Sequence, residues 1–229
     1  MPDVLIIAPV PEIPSRSPLA SSLLLEMKRA ILSRSEASSS DPALADRVDI
    51  CLASELELRS QEIYEMDDLI LCPLTLNLPE WLAFPGKETF SACANIQAMR
   101  ARVAEWQFPI GDGTHWLPIV LTAKGALFGE VITQAAQETL SYRQPLHLVD
   151  AQRQPLYQLG QQLVRSLSAS PGVYLMQFGL QENRVWFDRL IPFPDLPAIA
   201  SVGVQTPDLF QCHWLCLTHQ PIRDLQISA

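Results

Sequence analysis

Glycine is scarce in this chain, at 9 of 229 residues against 19 prolines. That balance excludes collagen-like and Gly/Ser-rich low-complexity chains, which need far more glycine. Charge is sparse too, at 18% of residues, while 48% are hydrophobic. A disordered chain would show the reverse. Basic residues are in the minority, 16 Lys and Arg against 25 Asp and Glu, for a formal net charge of -9. An acidic surface field argues against a phosphate-backbone partner, so no nucleic acid is expected. No run approaches the roughly 18 consecutive apolar residues of a membrane span. Met1-Pro2-Asp3, followed by Val4-Leu5-Ile6-Ile7, lacks the basic region and the apolar length of a secretory signal. These absences predict a soluble, cytoplasmic, globular protein.

The common catalytic signatures are missing as well. There is no G-x-S-x-G elbow and no G-x-x-x-x-G-K-[ST] loop. After the first apolar run the chain offers Pro9-Val10-Pro11 where a dinucleotide fold would place glycines. The five cysteines, Cys51, Cys72, Cys93, Cys212 and Cys216, are odd in number and irregularly spaced, without any C-x-x-C pair. They read as buried apolar side chains in a reducing compartment, not as a disulfide framework.

What is present alternates between strand and helix signals. Val4 to Ala8 is a short apolar run ended by Pro9, Pro11 and Pro14, the pattern of a strand covered on both faces. Leu19 to Leu32 reads as a helix, with Leu23, Leu24, Met27 and Ile31 at three- and four-residue steps. Ser35 to Pro42 is a polar loop, and Arg47 to Ala53 is a second strand. Ser54-Glu55-Leu56-Glu57 has the S-x-x-E spacing that opens a helix, here to about Met66. Asp68 to Pro73 is a third strand, and Thr89 to Trp106 reads as one helix. The order implies a parallel sheet with crossover helices.

The second half changes character. Leu117–Thr122 and Leu127–Thr133 read as strands around Lys124-Gly125, and Leu146 to Val149 as a short strand. Leu156, Leu159, Leu163 and Leu167 form a helical stripe despite Gly160. Val173–Leu180 and Arg184–Ile191 read as a hairpin, and Leu209 to Thr218 is apolar in either state. The predicted fold class is α/β: a three-layer βαβαβ lobe over residues 1–110, then a mixed α+β lobe with hairpins over 111–229.

Several residue groups carry chemistry. Cys212, His213, Cys216 and His219 fall within eight positions. In a strand Cys212 and Cys216 stand about 13 Å apart, too far to share a metal, whereas in a helix they share a face with His219. His115 in the Gly111–His115 loop has the chemistry of a general base, with Asp112 to orient it. Alternation along Arg184–Ile191 places Trp186, Asp188 and Leu190 on one face and Val185, Phe187, Arg189 and Ile191 on the other. Asp188 and Arg189 need partners if buried, or mark a ligand contact.

Three stretches together resemble the ATP-grasp fold of carboxylate–amine ligases. They are Asn95–Arg100 with Trp106–Ile110, Leu117–Leu121, and the Leu156–Leu167 helix followed by Gly172–Phe178 and Phe187–Pro194. The resemblance implies a metal-binding carboxylate and asparagine that fall on Arg189 and Ile191, a metal-binding acid near Gln177, and a lid lysine near Thr122, two residues from Lys124. Arginine and isoleucine cannot hold Mg²⁺, which takes oxygen ligands.

The expectation is therefore a non-catalytic protein that acts by binding a protein partner, a degenerate ATP-grasp relative with no cofactor and no metal. The alternative is an ATP-dependent carboxylate–amine ligase-like or nucleotide-binding enzyme that uses ATP and Mg²⁺. Its cofactor would meet Lys124 and Asp188, with Glu130 and Asp195 as further metal candidates. A third reading takes Cys212, Cys216 and His219 as a metal or redox site.

Overall fold

A computed structural model describes residues 3–10, 17–33, 47–66, 68–135, 141–181 and 184–228. Pro11, Pro14, the Ser35–Pro42 loop, Glu182 and Asn183 lie outside the described residues. The chain divides into two compact units, Met1–Phe84 and Pro85–Ala229.

The first unit holds a three-stranded parallel sheet in the order β2-β1-β3, with β1 at Val4–Ala8, β2 at Val48–Leu52 and β3 at Ile70–Pro73. Val4 pairs with both Val48 and Ile70, and all five β1 residues are buried. A central parallel strand has no face to give to water, which is why β1 is written as an unbroken apolar run. Helix α1 (Ser17–Leu32) packs against β1 and buries Leu23, Met27 and Ile31, one helical turn apart. Leu5, Ile7, Cys51, Leu56 and Leu82 form the core beneath.

The S-x-x-E reading is displaced. Glu55, not Glu57, turns back on the chain, accepting from Leu52 N at 2.9 Å and shaping a 3-10 turn at Ala53–Glu55. Helix α2 begins only at Ser60 and ends at Glu65. Glu57 instead accepts from Trp81 Nε1 at 2.8 Å.

In the second unit the expected single helix is two, α3 (Lys87–Ala94) and α4 (Ile96–Glu105). Asn95 interrupts it, because its Oδ1 accepts from Ala98 N at 3.1 Å and caps a new helix start. The sequence reading set a boundary near residue 110. In the structure α4 is bonded to the second unit's sheet, and the units part after Phe84.

That sheet has six strands in the order β7-β6-β4-β8-β9, with β5 paired to β4. They are β4 His115–Thr122, β5 Gly125–Phe128, β6 Val131–Gln134, β7 Tyr142–Leu146, β8 Gly172–Gln181 and β9 Arg184–Ile191. The expected Leu127–Thr133 strand breaks at Gly129 and Glu130: β5 pairs with the far half of β4 and β6 with its start. Helix α5 (Asp150–Ser166) buries Leu156, Leu159 and Leu163. Gly160 has a packing reason, since a Cβ there would lie 2.9 Å from Ile119 Cδ1 and 3.0 Å from Phe128 Cε1. The apolar 209–218 segment is helix α6 (Leu209–Leu217), capped by Asp208 and packed on β8 and β4. A short antiparallel pair, β10 (Gln205–Thr206) with β11 (Gln226–Ile227), completes the unit.

Candidate functional site

The β8–β9 hairpin is not regular. Gln177 pairs with Arg189 and Phe178 with Phe187, which leaves Asp188 as the extra residue of a β-bulge. A bulge shifts the parity of everything beyond it. Leu190 therefore joins Phe187 and Val185 on one face, while Arg189 and Ile191 join Trp186 on the other. The strict alternation expected from the sequence, with Leu190 beside Trp186 and Arg189 beside Phe187, is corrected by that inserted residue.

Asp188 is buried, and its carboxylate is fully engaged. Oδ1 accepts from Arg100 Nη2 at 2.6 Å and from Arg189 Nε at 3.2 Å, and Oδ2 accepts from Gly113 N at 3.0 Å. Arg100 also donates Nε to the Asp188 carbonyl at 3.0 Å and Nη2 to the exposed Asp112 carboxylate at 2.8 Å. Hydrogen bonds to Asp112 and Asp188 hold the Arg100 guanidinium above its ordinary pKa. Two guanidinium groups face two carboxylates, so the group is electrically balanced, as a buried charge requires.

The chain before β4 is built around this carboxylate. Gly111 N donates to Phe187 O at 3.0 Å and Phe187 N to Pro109 O at 2.9 Å, laying the segment along the edge of β9. It then crosses onto the sheet, where contacts are too close for side chains. A Cβ on Gly111 would sit 2.9 Å from the Trp186 ring, and one on Gly113 only 2.0 Å from the Phe178 carbonyl carbon. Gly113 thus brings its peptide into the site: its N–H reaches Asp188, and its C=O accepts from Gln177 Nε2 at 2.6 Å.

Trp116, Gln177 and Arg189 form a transverse row over β4, β8 and β9. The Trp116 indole N–H is buried and has no hydrogen-bond partner among the described residues. Among the described residues Arg189 bonds only to Asp188, through Nε, so its terminal nitrogens are uncommitted, and the side chain is 39% exposed.

The other sequence candidates lie elsewhere. Asp112 does not orient His115; it pairs with Arg100. His115 Nδ1 meets Thr133 Oγ1 at 2.8 Å and its ring packs on Phe178, and burial lowers its pKa. Lys124 occupies the exposed β4–β5 turn with Thr122, six residues along β4 from Trp116, which is about 20 Å of strand. Glu130 pairs with Arg153 at 3.5 Å, and Asp195 accepts from Leu196 N at 2.8 Å. The structure therefore does not gather Lys124, Asp188, Glu130 and Asp195. Cys212 and Cys216 do share the buried face of α6, but His219 is exposed just past its end. Burial pushes the Cys216 thiol up to about 12 and Cys212 well above its ordinary value, so both remain thiols. Among the described residues no three His, Cys, Asp or Glu side chains gather to hold a metal ion.

No protein-family model matches the chain, and no curated protein sequence does. Solved structures match nearly all of it. Glycinamide-RNase-transformylase T from Mycobacterium tuberculosis superposes with a TM-score of 0.69 at 15% identity, over 96% of this chain and 80% of that one. An N5-carboxyaminoimidazole ribonucleotide synthetase from Thermotoga maritima gives 0.70 at 10% identity, over 99% and 78%. A carboxyaminoimidazole ribonucleotide synthase from Aspergillus clavatus, complexed with ATP, gives 0.68 at 10% identity, over 97% and 78%.

The fold is ATP-grasp-like. The expectation of no cofactor is corrected by these neighbours, which favour the nucleotide alternative over none. Magnesium is a separate matter. The positions that the resemblance assigns to metal ligands are Gln177, Arg189 and the apolar Ile191; Gln177, tied to Gly113, and Arg189, a cation, lie side by side on one face. Mg²⁺ takes carboxylate and other oxygen ligands, and this pair does not fit it.

Sequence reasoning named Asp188 but missed Arg100 and Gly113 as its partners. The signal was there: an acid within an apolar strand demands a cation, and a Gly-x-Gly spacing marks close backbone approach.

Proposed function

We propose that this chain is an ATP-grasp-like nucleotide-binding protein that takes an adenine nucleotide without performing magnesium-dependent ligation at the Gln177–Arg189 face. The superposition of 97% of the chain on a synthase complexed with ATP carries the reading. The Gln177–Arg189 pair supports the second half, because ligation through a phosphorylated intermediate relies on metal to neutralise the transferring group. Thermal unfolding with and without millimolar ATP tests it. At 100-fold excess over Kd, binding stabilises by about 2.7 kcal/mol, a Tm rise of several degrees. An unchanged melting curve rejects nucleotide binding, and release of ADP with an amine and a carboxylate substrate rejects the non-ligating half.

A second reading, action through a protein partner, draws on the exposed Leu58 and Tyr64 of the first unit together with the net charge of -9. Native mass spectrometry of a lysate pull-down, repeated with Leu58→Glu/Tyr64→Glu, tests it: a specific partner lost in the variant supports it, and recovery of the chain alone rejects it.

A further inference from the structure

The mismatch between Arg189 and a metal ligand has a positive side. Arg189 is not a loosely solvated arginine. Its Nε is fixed by Asp188, a carboxylate held in turn by Arg100 and by the Gly113 peptide. The bulge at Asp188 turns Arg189 onto the face of Gln177 and Trp116. The guanidinium is thus anchored by one edge on a partly exposed side chain, and its two terminal nitrogens have no partner among the described residues. A planar fork held in this way suits a phosphate or carboxylate. The same row holds the buried Trp116 N–H, another donor without an acceptor among the described residues. No anionic side chain in the row competes, because the position across from Arg189 is glutamine.

We propose that Arg189 is a built-in replacement for a divalent cation, making the Trp116–Gln177–Arg189 row a metal-independent seat for the phosphates of a nucleotide. The proposal rests on the nucleotide reading above and sharpens it. A fixed guanidinium neutralises phosphate charge without assembling a hydrated ion, so affinity for ATP or ADP does not depend on free Mg²⁺. A divalent ion beside Arg189 meets like charge, and the Asp188 carboxylate next to it is already taken up by three donors.

The test is calorimetric titration of ATP into the whole protein, in excess Mg²⁺ and again in EDTA, for wild type, Arg189→Met and Gln177→Glu/Arg189→Glu. Melting without ligand checks that each variant is folded, which the partial exposure of Arg189 favours. Wild type is expected to bind equally in both buffers. Arg189→Met is expected to bind about ten- to a hundredfold more weakly in both, the loss of a charge-assisted contact. The double variant, with two carboxylates in the row, is expected to bind only with Mg²⁺. Wild-type binding that vanishes in EDTA overturns the metal-independent seat and leaves nucleotide binding standing. Unchanged affinity in Arg189→Met overturns the role of Arg189. An absence of wild-type binding in both buffers overturns the proposal together with the nucleotide reading beneath it.

Discussion

At one end of β8 the buried Asp188 carboxylate meets three donors within 3.2 Å, while at the other end the buried His213 ring meets one. His213 Nδ1 accepts from Val173 N at 3.1 Å, so the proton sits on Nε2, which has no partner among the described residues. Around Asp188 charge is answered by charge, and backbone is drawn in to finish the job. Around His213 the strand end at Gly172 and Val173 lies against the ring, and burial alone drives its pKa down to about 4. The difference separates two uses of a buried polar group. A satisfied ionic group can orient something beyond itself, here Arg189. A half-satisfied neutral one does little except make folding depend on its staying neutral.

The comparison breaks first at Asp188. Asp188→Ala takes the shared acceptor from Arg100 Nη2, Arg189 Nε and Gly113 N, leaving Arg100 only Asp112 and a backbone carbonyl, and it is expected to cost about 3–5 kcal/mol in denaturant unfolding. Arg100→Met/Asp188→Leu should recover part of that loss, because an apolar pair leaves no stranded charge. A double variant as unstable as the single would show that the network is not held by its charges.

His213 gives the next largest effect, read as pH dependence. Its folded pKa of about 4 lies below the ordinary 6.5, so between those values the unfolded chain binds a proton that the folded chain refuses. Stability is then intact above pH 6.5 and falls as pH drops toward 4, by about 3 kcal/mol in all. Urea midpoints across that range should show the slope, and His213→Gln should reduce it, leaving the part due to His115, whose pKa burial also lowers. Cys212, Cys216 and Tyr174 all have pKa values raised by burial, so they stay neutral throughout the window and do not contribute.

Gly113→Ala sharpens the role of backbone at the Asp188 end. A methyl 2.0 Å from the Phe178 carbonyl carbon forces the loop away, at about 1–3 kcal/mol and with loss of the Gly113 bonds to Asp188 and Gln177. The smallest effect is Gly160→Ala, remote from both ends. Helix propensity favours alanine by about 1 kcal/mol, and the 2.9 Å approach to Ile119 Cδ1 opposes it. A net loss of about 1 kcal/mol or less is expected, because the atoms it meets are side-chain tips. Combination with Ile119→Val should turn that loss into a gain.

Much of the fold was legible because hydrophobic periodicity is local. The unbroken Val4–Ala8 run, the Leu23, Met27 and Ile31 spacing and the Leu156–Leu163 stripe each report which face is buried. Reading failed where one residue changed the geometry. Asn95 capped a second helix inside an apparently continuous one, Glu55 displaced Glu57 as the turn-closing acid, and Gly129 split a strand. At the site, Asp188 stood out as an acid among apolar residues. Its partner Arg100 lies 88 positions away, and no local pattern ties the two together.

By itself the sequence determined the α/β class, the absence of the common nucleotide and hydrolase signatures, and the presence of Gln177, Arg189 and Ile191 where the resemblance implies metal ligands. Those follow from residue type and short-range spacing, which need no partner to be read. Only the tertiary structure decided that a bulge at Asp188 puts Arg189 on the face of Gln177, and that a glycine peptide locks the acid from across the sheet. Strand register and long-range ion pairs arise from contacts between distant segments, and they exist only once the chain has closed on itself.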